Sequence, residues 1–391
     1  MFQWNTFFIS MGALVCSLFL FIRCGDKPAE TNSLQELASS CNSIEKVELK
    51  KIDTSESFTL LLNDSTSVVN TNIPIKKIDN FGYLITMAHE ILKFDLSQIV
   101  KNTKVKTELV ATLPYPYTIG ITDFFINENQ LWIISGKSAK HIFSFDFSTG
   151  KVDTLLTEQN FLWNSFPFVG AKISKENSTT FCLPVLEVTD NSNLPLFSTF
   201  QLKGNKLVFE NSYGVFNAGT MEGWSPFSMT PIFSNYENHG YWVTTSTGHG
   251  VIHYSLKDHK LQQNNSLCFP TNGEDEFIKN LPFGLQEDRQ YVSKVSIMES
   301  YNLRLLCDEK HVLKFVKEKQ PFLNQETQMK YIMNDSPWFI ECVELETNQI
   351  KRLKFQNKTH YYTLAFLSNE RLIVAKQRPA LGSIEFNMIH L

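Results

Sequence analysis

A recurring unit of four short apolar runs constrains the fold of this chain more than any other feature. Residues 122–158 contain four runs rich in Phe, Ile, Val and Thr, joined by the turn-forming segments Asn-Glu-Asn, Gly-Lys-Ser and Thr-Gly-Lys. Such runs, bounded by turn residues, predict an antiparallel four-stranded meander. Apolar and polar positions alternate in the third run, residues 141–147, so one face of that strand is expected to lie on a core.

The same unit returns along the chain, and its third run ends in a recognisable triplet. The triplets are Phe-Asp-Leu (94–96), Phe-Asp-Phe (145–147), Phe-Gln-Leu (200–202), Tyr-Ser-Leu (254–256), Val-Glu-Leu (343–345) and Ile-His-Leu (389–391). Six units, the last of them one strand short, predict an all-β fold: a six-bladed β-propeller. An N-terminal strand is expected to close the last blade, and residues 46–51 and 58–63 are the two candidate segments.

A Pro-aromatic pair separates several of these units. The pairs are Pro116-Tyr117, Pro167-Phe168, Pro226-Phe227 and Pro282-Phe283. Proline ends a strand ladder because it has no N–H to donate, and the aromatic ring can fill the wedge between neighbouring blades. In a propeller these crossings run near the central channel. The pairs can therefore close blade junctions, contact a ligand at the channel mouth, or do both.

The N-terminal segment differs in kind from the rest of the chain. Residues 6–22 form an uncharged apolar run, Cys24 follows it, and a polar stretch comes next. This order resembles the lipid-modification site of bacterial lipoproteins, with Cys24 as the acylated residue. Arg23 stands where that site has a small residue, so an uncleaved membrane anchor with Cys24 incidental is the alternative.

These readings divide the chain into three parts. Residues 1–23 are a signal peptide or membrane anchor, residues 24–43 an acylated tether, and residues 44–391 the propeller. The body is then attached to a membrane and not embedded in it, because no later segment approaches the length of an apolar span. We expect a periplasmic or outer-membrane location, outside the cytoplasmic membrane.

Charge and cysteine usage exclude several classes of protein. A formal net charge of −4 over 391 residues gives no support for a nucleic-acid-binding protein, which would show a clustered basic face. No CxxC pair is present, so a zinc ribbon or thioredoxin-type motif is not supported. Cys182, Cys268, Cys307 and Cys342 lie in apolar runs and are expected to be small buried hydrophobic residues. Cys307 and Cys342 can become neighbours, but spacing alone does not establish a disulfide.

The acylation-like start "CGDKP", the length and the degenerate blades resemble the uncharacterised six-bladed, TolB-like propeller lipoproteins of Gram-negative bacteria. The resemblance covers almost the whole chain. It implies the propeller fold and a lipid-anchored extracytoplasmic location. It implies little about activity, because that family is itself largely without an assigned function.

No complete catalytic motif is present in the chain. It has no nucleophile elbow, HExxH, Walker loop or GxGxxG, and no cofactor or metal is predicted. His239, His249 and His253 form the densest histidine cluster, but about 13 Å separates His249 from His253 along an extended strand, too far to share a zinc ion. Residues 274–276 are acidic and are read as a solvated charge run in a loop.

Aromatic and polar residues recur on the connections that precede the first strands of three units. They are Tyr115, Trp163, Asn164, Glu222 and Trp224. Because equivalent points of each blade lie on one face of a propeller, we expect one contiguous patch around the channel mouth. Such a surface suits an envelope protein, a peptide or a glycan. The same side chains could instead pack against one another over the channel.

The leading hypothesis is therefore a membrane-tethered binding or scaffold module of the cell envelope, more plausibly non-enzymatic than enzymatic. The alternative is a metal-dependent hydrolase or lactonase acting at the central channel, and Asp123, Asn164 and Glu222 are the nearest available ligand set. A purely architectural role, with no saturable ligand, is the third possibility.

Overall fold

The computed structural model describes the chain from residue 49 onward with gaps, and the structural statements below concern the described residues. These are 49–52, 54–114, 121–127, 129–135, 141–157, 161–163, 171–175, 178–183, 185–187, 193–204, 206–217, 231–235, 240–246, 250–257, 260–269, 298, 300–323, 337–354, 360–376 and 379–391. Residues 1–48, with the predicted signal or anchor segment and the tether, lie outside them.

The first sheet, sheet I, is an antiparallel meander near the start of the described chain. Its strands and those around it are β1 (Leu49–Lys51), β2 (Ser57–Leu61), β3 (Lys76–Ile78), β4 (Phe81–Ile85), β5 (Glu90–Asp95), β6 (Lys104–Lys106) and β7 (Glu108–Thr112), with a 3₁₀ turn at Leu96–Gln98. Sheet I has the order β3-β4-β5-β7. Asp79, at a positive φ of 51°, makes the turn from β3 to β4 tight. Gly82 admits the ring of Phe94, because a Cβ there would lie 2.1 Å from Phe94 Cζ.

Sheet II contains eight strands and joins two meanders edge to edge. The strands of this part of the chain are β8 (Ile121–Asn127), β9 (Gln130–Ser135), β10 (His141–Asp146), β11 (Val152–Thr157), β12 (Phe161–Trp163), β13 (Ala171–Lys175), β14 (Ser178–Leu183), β15 (Val185–Glu187), β16 (Asn193–Lys203) and β17 (Lys206–Asn217). The order of sheet II is β13-β14-β16-β17-β11-β10-β9-β8, and β12 pairs separately with β15. The join is the short parallel pairing of β11 with β17.

Sheets III and IV follow the same antiparallel plan. Sheet III consists of β18 (Pro231–Asn235), β19 (Tyr241–Thr245), β20 (Gly250–Lys257) and β21 (Lys260–Cys268). Sheet IV consists of β22 (Tyr301–Cys307), β23 (His311–Lys317), β24 (Trp338–Glu344) and β25 (Ile350–Lys354). The early strand β1 adds to the outer edge of sheet IV by parallel pairing with β25.

Sheet V is completed by strands from the start of the chain. Its C-terminal strands are β26 (His360–Ser368), β27 (Arg371–Lys376) and β28 (Ser383–His390). Strand β2 pairs antiparallel with β28, and β6 pairs parallel with β2, so the order is β26-β27-β28-β2-β6. Of the two candidate closing segments, the one at 58–63 therefore supplies the fourth strand. The segment at 46–51 contributes β1 to sheet IV instead.

The sheets pack side by side into a closed β-propeller arrangement. Buried apolar residues form a core between sheets V and I, as Phe58, Phe94 and Phe386 show, and further cores lie between sheets I and II and between sheets IV and V. Trp242 belongs to the core between sheets III and IV, and Phe197 of sheet II meets Phe233 of sheet III edge to face at 5.1 Å. Each fully buried Phe of such a core is worth about 1.5–3 kcal/mol.

The all-β propeller is confirmed, but the predicted count of six blades is wrong. The described residues form five sheets of four or more strands. The physical reason is the pairing of β11 with β17 at Leu156–Lys206 and Thr157–Leu207, which fuses the second and third meanders into sheet II. A pairing between the fourth strands of two units does not change the sequence pattern of either unit. Counting the triplets could therefore not reveal that the two meanders share one sheet.

The first strands of the sheets lie innermost, since β3 contacts β8 and β26, and β22 contacts β26 and β18. We call the end at which these strands begin the front face. Because neighbouring strands run antiparallel, the fourth strands end at the front face and the turns between second and third strands lie there too. The turns between first and second strands and between third and fourth strands lie on the opposite, back face.

A buried hydrogen-bond network fastens the N-terminal segment to sheet V. Asn387, fully buried on β28, donates from Nδ2 to the carbonyl of Thr54 at 2.9 Å and to that of Glu56 at 3.3 Å. Its Oδ1 lies 2.8 Å from Nε2 of His360, a buried residue on β26. One amide thus joins the closing segment to two strands of the last sheet.

Replacing Asn387 with Ala should loosen this closure. His360 Nε2 and the Thr54 carbonyl would both lose a buried partner, and we expect the free energy of unfolding to fall by about 3 kcal/mol. Urea unfolding of the variant, compared with Asn72→Ala at an exposed side chain, measures the effect. Equal, small losses in the two variants would show that the network does not hold the closing segment.

Candidate functional site

The residues predicted to form the binding patch fall almost entirely outside the described part of the chain. Tyr115, Asn164, Glu222 and Trp224 lie outside it, as do Cys24 and the four Pro-aromatic pairs. Trp163 is the last residue of β12, where its backbone is in register with Val185, and its side chain is not among those described. The patch therefore stays a prediction.

Asp123 is described, and it is held in an ion pair. It lies on β8, is fully buried, and its Oδ1 is 2.6 Å from Nζ of Lys76 on β3. The same oxygen accepts a hydrogen bond from the backbone N–H of Phe124 at 2.9 Å. Its Oδ2 has no hydrogen-bond partner among the residues that the structure describes. Sheets I and II are thus joined at the channel by a carboxylate that is only half satisfied.

Arg304 approaches the same channel from the other side. It lies on β22, and its Nη1 donates to the carbonyls of Tyr362, at 2.9 Å, and Thr363 on β26. The hydroxyl of Thr363 in turn donates to the carbonyl of Thr71, close to sheet I. Within the described residues Arg304 makes no ion pair, so its Nε and Nη2 groups remain available.

These side chains converge because each sits near the start or at the middle of an innermost strand. Lys76 begins β3, Asp123 is third in β8, Arg304 is fourth in β22, and Tyr362 is third in β26. Four strands from four different sheets therefore bring them toward the front end of the channel. We call Lys76, Asp123, Arg304 and Tyr362 the axial cluster.

Burial dominates the electrostatics of the axial cluster. It lowers the pKa of Lys76 and raises that of Asp123, and the attraction between the two opposes each shift. Burial also lowers the pKa of Arg304 to about 10, with Asp123 opposing it. The pKa of Tyr362 is raised by burial to about 12, so its phenol stays neutral at physiological pH. Among the described residues, two cations thus face one carboxylate.

The surplus positive charge decides what the axial cluster can hold. A guanidinium with unused N–H groups beside an ammonium suits a carboxylate or another oxyanion. A divalent cation is disfavoured, because Lys76 already occupies the carboxylate of Asp123. Asp123 was one of the three residues proposed for a channel metal, and the other two, Asn164 and Glu222, lie outside the described residues.

A second buried charge cluster, on sheet IV, provides a comparison. Glu341 binds Nζ of Lys314 at 2.9 Å and Nη2 of Arg352 at 2.6 Å. Lys314 also lies over the ring of Phe269, and Arg352 over that of Phe339. Both cations therefore have a carboxylate and an aromatic partner, which is typical of a structural network. Within the described part of the chain, the hydrogen bonds of Arg304 go to backbone carbonyls alone, which sets the axial cluster apart.

The histidine cluster does not form a metal site within the described residues. His253 lies on β20 and stacks on Trp242, with ring centroids 4.6 Å apart. His239 and His249 lie outside the described residues. No group of three or more His, Cys, Asp or Glu side chains that could hold a metal occurs in the part of the chain that the structure describes.

The cysteines divide into two kinds. Cys307 and Cys342 are buried and free, and burial raises the pKa of each thiol to about 12, as expected for small core residues. They are not joined to each other. Cys268 departs from the prediction, because it is disulfide-bonded. Bond partners of this kind are set by the tertiary fold, which the apolar run around Cys268 does not reveal.

Sequence reasoning missed Lys76, Arg304 and Tyr362. A usable signal existed for Arg304, since it interrupts the apolar run of residues 303–306 on a strand. A cation in such a position is costly to bury unless it has partners, so it marks a candidate site. Lys76 gave no comparable signal, because its partner Asp123 belongs to another sheet.

Among the described residues, no helix is both long enough and apolar enough to cross a membrane.

Comparison with known proteins supports the fold. No protein-family model and no curated protein matches the sequence. Among solved structures, a DUF4221 family member from Bacteroides vulgatus is similar, with a TM-score of 0.58, 9% identity, and coverage of 86% of this chain and 97% of that one. A candidate exported protein from Bacteroides fragilis gives a TM-score of 0.51, 12% identity, and coverage of 87% and 96% respectively. At these identities the likeness shows the fold alone.

Replacing Lys76 with Met should leave the buried Asp123 carboxylate without its partner cation. We expect a loss of about 3–5 kcal/mol of unfolding free energy at pH 8, because a buried charge is left without its partner. The raised folded-state pKa of Asp123 means that its protonated form favours the fold at low pH and that this contribution is lost as pH rises. The loss should therefore shrink at pH 5.

The double variant Lys76→Met/Asp123→Asn is the matched control for this experiment. It removes both charges, so it should recover most of the stability lost by the single variant. Urea unfolding at both pH values measures each effect. A single variant with wild-type stability at pH 8 would contradict the buried ion pair.

Proposed function

We propose that this protein is an exported, membrane-tethered binding module whose ligand places an anionic group at the front end of the propeller channel. The observation that carries the proposal is the axial cluster, in which Lys76 and Arg304 face the single carboxylate of Asp123. The unused N–H groups of Arg304 are the donors for the ligand. A non-enzymatic role is favoured, because the axial cluster contains no nucleophile paired with a general base.

The extracytoplasmic location has three supports. The apolar run at residues 6–22 followed by Cys24 predicts a lipoprotein-like tether. Cys268 is disulfide-bonded, and structural disulfides persist in oxidising compartments outside the cytoplasm. One structurally similar protein is a candidate exported protein. We propose acylation of Cys24 on the first of these, in the manner of the TolB-like lipoproteins that the sequence resembles.

The predicted patch extends this site toward a larger ligand. Tyr115, Trp163, Asn164, Glu222 and Trp224 precede first strands, and the described first strands begin at the front face. We propose that these side chains contact the rest of a peptide, glycan or envelope protein whose anionic group reaches Lys76 and Arg304. Aromatic anchors around a charged contact are the usual composition of such surfaces.

The anionic preference can be tested with a matched pair of small probes. Succinate carries two carboxylates, and succinamide has the same skeleton without charge. For the full-length protein in detergent, succinate should raise the melting temperature saturably, with about 2.7 kcal/mol of stabilisation at one hundred times Kd. Succinamide should have no such effect. Equal shifts with both probes, or none with succinate, would contradict the proposal.

Two variants connect the succinate effect to the axial cluster. Arg304→Gln keeps one amide donor for the β26 carbonyls and removes the charge, so it should abolish the succinate-dependent shift. Lys203→Gln removes an exposed cation at the end of β16 and should leave the shift intact. A shift lost in both variants would reflect general charge and not the axial cluster.

Acylation of Cys24 should be detectable by metabolic labelling with an alkyne fatty acid. The wild-type chain and Cys16→Ala, which alters the apolar run, should both incorporate the label, and Cys24→Ala should not. Label on Cys24→Ala at the wild-type level would favour the uncleaved anchor instead.

A further inference from the structure

A cavity of about 660 Å³ opens in the wedge between sheets III and IV, away from the axial cluster. It is lined from sheet III by β19, β20 and β21 and from sheet IV by two turns, β22–β23 and β24–β25. The β22–β23 turn joins a first strand to a second, and the β24–β25 turn joins a third strand to a fourth. Both turns therefore lie on the back face. The cavity therefore belongs to the opposite end of the propeller from the axial cluster.

The sheet III wall is a rigid aromatic floor. Trp242, His253 and Asn265 stand side by side in register across β19, β20 and β21. The imidazole of His253 lies on the indole of Trp242 at 4.6 Å with an interplanar angle of 23°. Trp242 is itself buried in the core between the two sheets, and this packing holds the stacked rings in place. The half-buried His253 ring presents a flat face beside the cavity.

The opposite wall is held in place by backbone contacts. Oδ1 of Asp308 accepts hydrogen bonds from the backbone N–H groups of Lys310 and His311, at 2.8 and 2.7 Å. The two turns are tied together, because the N–H of Leu345 donates to the carbonyl of Lys310 at 2.7 Å. Asn348, at a positive φ of 55°, completes the second turn. The sheet IV wall is thus held in one conformation by its own hydrogen bonds.

Several polar groups around the cavity lack a hydrogen-bond partner among the described residues. Within the described residues, the amides of Asn265 and Asn348 and the hydroxyl of Ser266 make no side-chain hydrogen bond, and Asp308 engages only one of its carboxylate oxygens. An amide both donates and accepts, as a hydroxyl does. A cavity of this size with a flat apolar face and a few unengaged polar groups is typical of a small-ligand site.

We infer that this cavity binds a neutral, hydroxyl-rich ligand of the saccharide class. The His253 ring would cover one apolar face of a sugar ring, and the amides of Asn265 and Asn348 would pair with its hydroxyls. Asp308 would accept a further hydroxyl proton through Oδ2. An anionic ligand is disfavoured by charge, because Asp308 lines the cavity and no described lining residue is Lys or Arg.

The test is binding of the full-length, detergent-solubilised protein to an array of immobilised oligosaccharides, with neutral, amine-bearing and acidic members. We expect retention by neutral members, with affinity at least tenfold weaker in Asn265→Ala and in Asp308→Asn. Asp308→Asn keeps a side-chain oxygen that can accept the hydrogen bonds from the backbone N–H groups of Lys310 and His311. Gln263→Ala is the control, because Gln263 pairs with Tyr254 and not with His253, on the other face of sheet III.

Each outcome decides the inference. Neutral binding that weakens in both cavity variants and persists in the control supports it. Binding confined to amine-bearing or acidic members, binding unaffected by the cavity variants, or no binding overturns it. The succinate experiment reports on the axial cluster and the oligosaccharide experiment on the cavity, so failure at one site leaves the result at the other intact.

Discussion

A strand from the start of the chain completes its last sheet, and the closed ring depends on that pairing. Strand β2 lies between β28 and β6, and Phe58 stacks on Phe386 across the join at 5.1 Å. Without it, the core between sheets V and I would lose one wall, and β28 would present an unpaired edge. The innermost strands would then lack the fixed spacing that brings Lys76, Asp123 and Arg304 to one axis.

The two buried charge clusters show how one fold uses charge in two ways. Around Glu341, each cation has both a carboxylate and an aromatic ring, so the group stiffens sheet IV. At the axis, Arg304 bridges two strands through carbonyls. Among the described residues, one oxygen of Asp123 is unpaired and the cations outnumber the carboxylates. Buried polar groups that lack a hydrogen-bond partner are expected at a ligand-binding site rather than in a purely structural network.

The sequence allowed the strands to be predicted and limited the closing segment to two candidates, because both depend on local patterns. The third-strand triplets fall at or just beyond the ends of β5, β10 and β28, and 58–63 overlaps β2. The number of sheets could not be predicted in this way, since the β11–β17 pairing depends on how two finished meanders meet. The axial cluster could not be predicted from the sequence either, because Lys76 and Asp123 belong to different sheets and their pairing depends on how those sheets pack. Asp123 was named in the sequence analysis only as a candidate metal ligand, a role that its pairing with the ammonium of Lys76 opposes. The Trp242–His253 stack could not be predicted for a related reason. It depends on the register between β19 and β20, whereas the sequence analysis considered only the spacing of the histidines from one another.

Closure by β2 also dictates the order in which the protein can finish folding. Phe58 and Phe386 come from opposite ends of the described chain, so the last sheet cannot form until the C-terminal strands have been synthesised. Loop-closure entropy across nearly the entire chain makes this a late and slow step. A prematurely terminated chain therefore keeps β2 exposed as an open edge, at which it can pair with another chain.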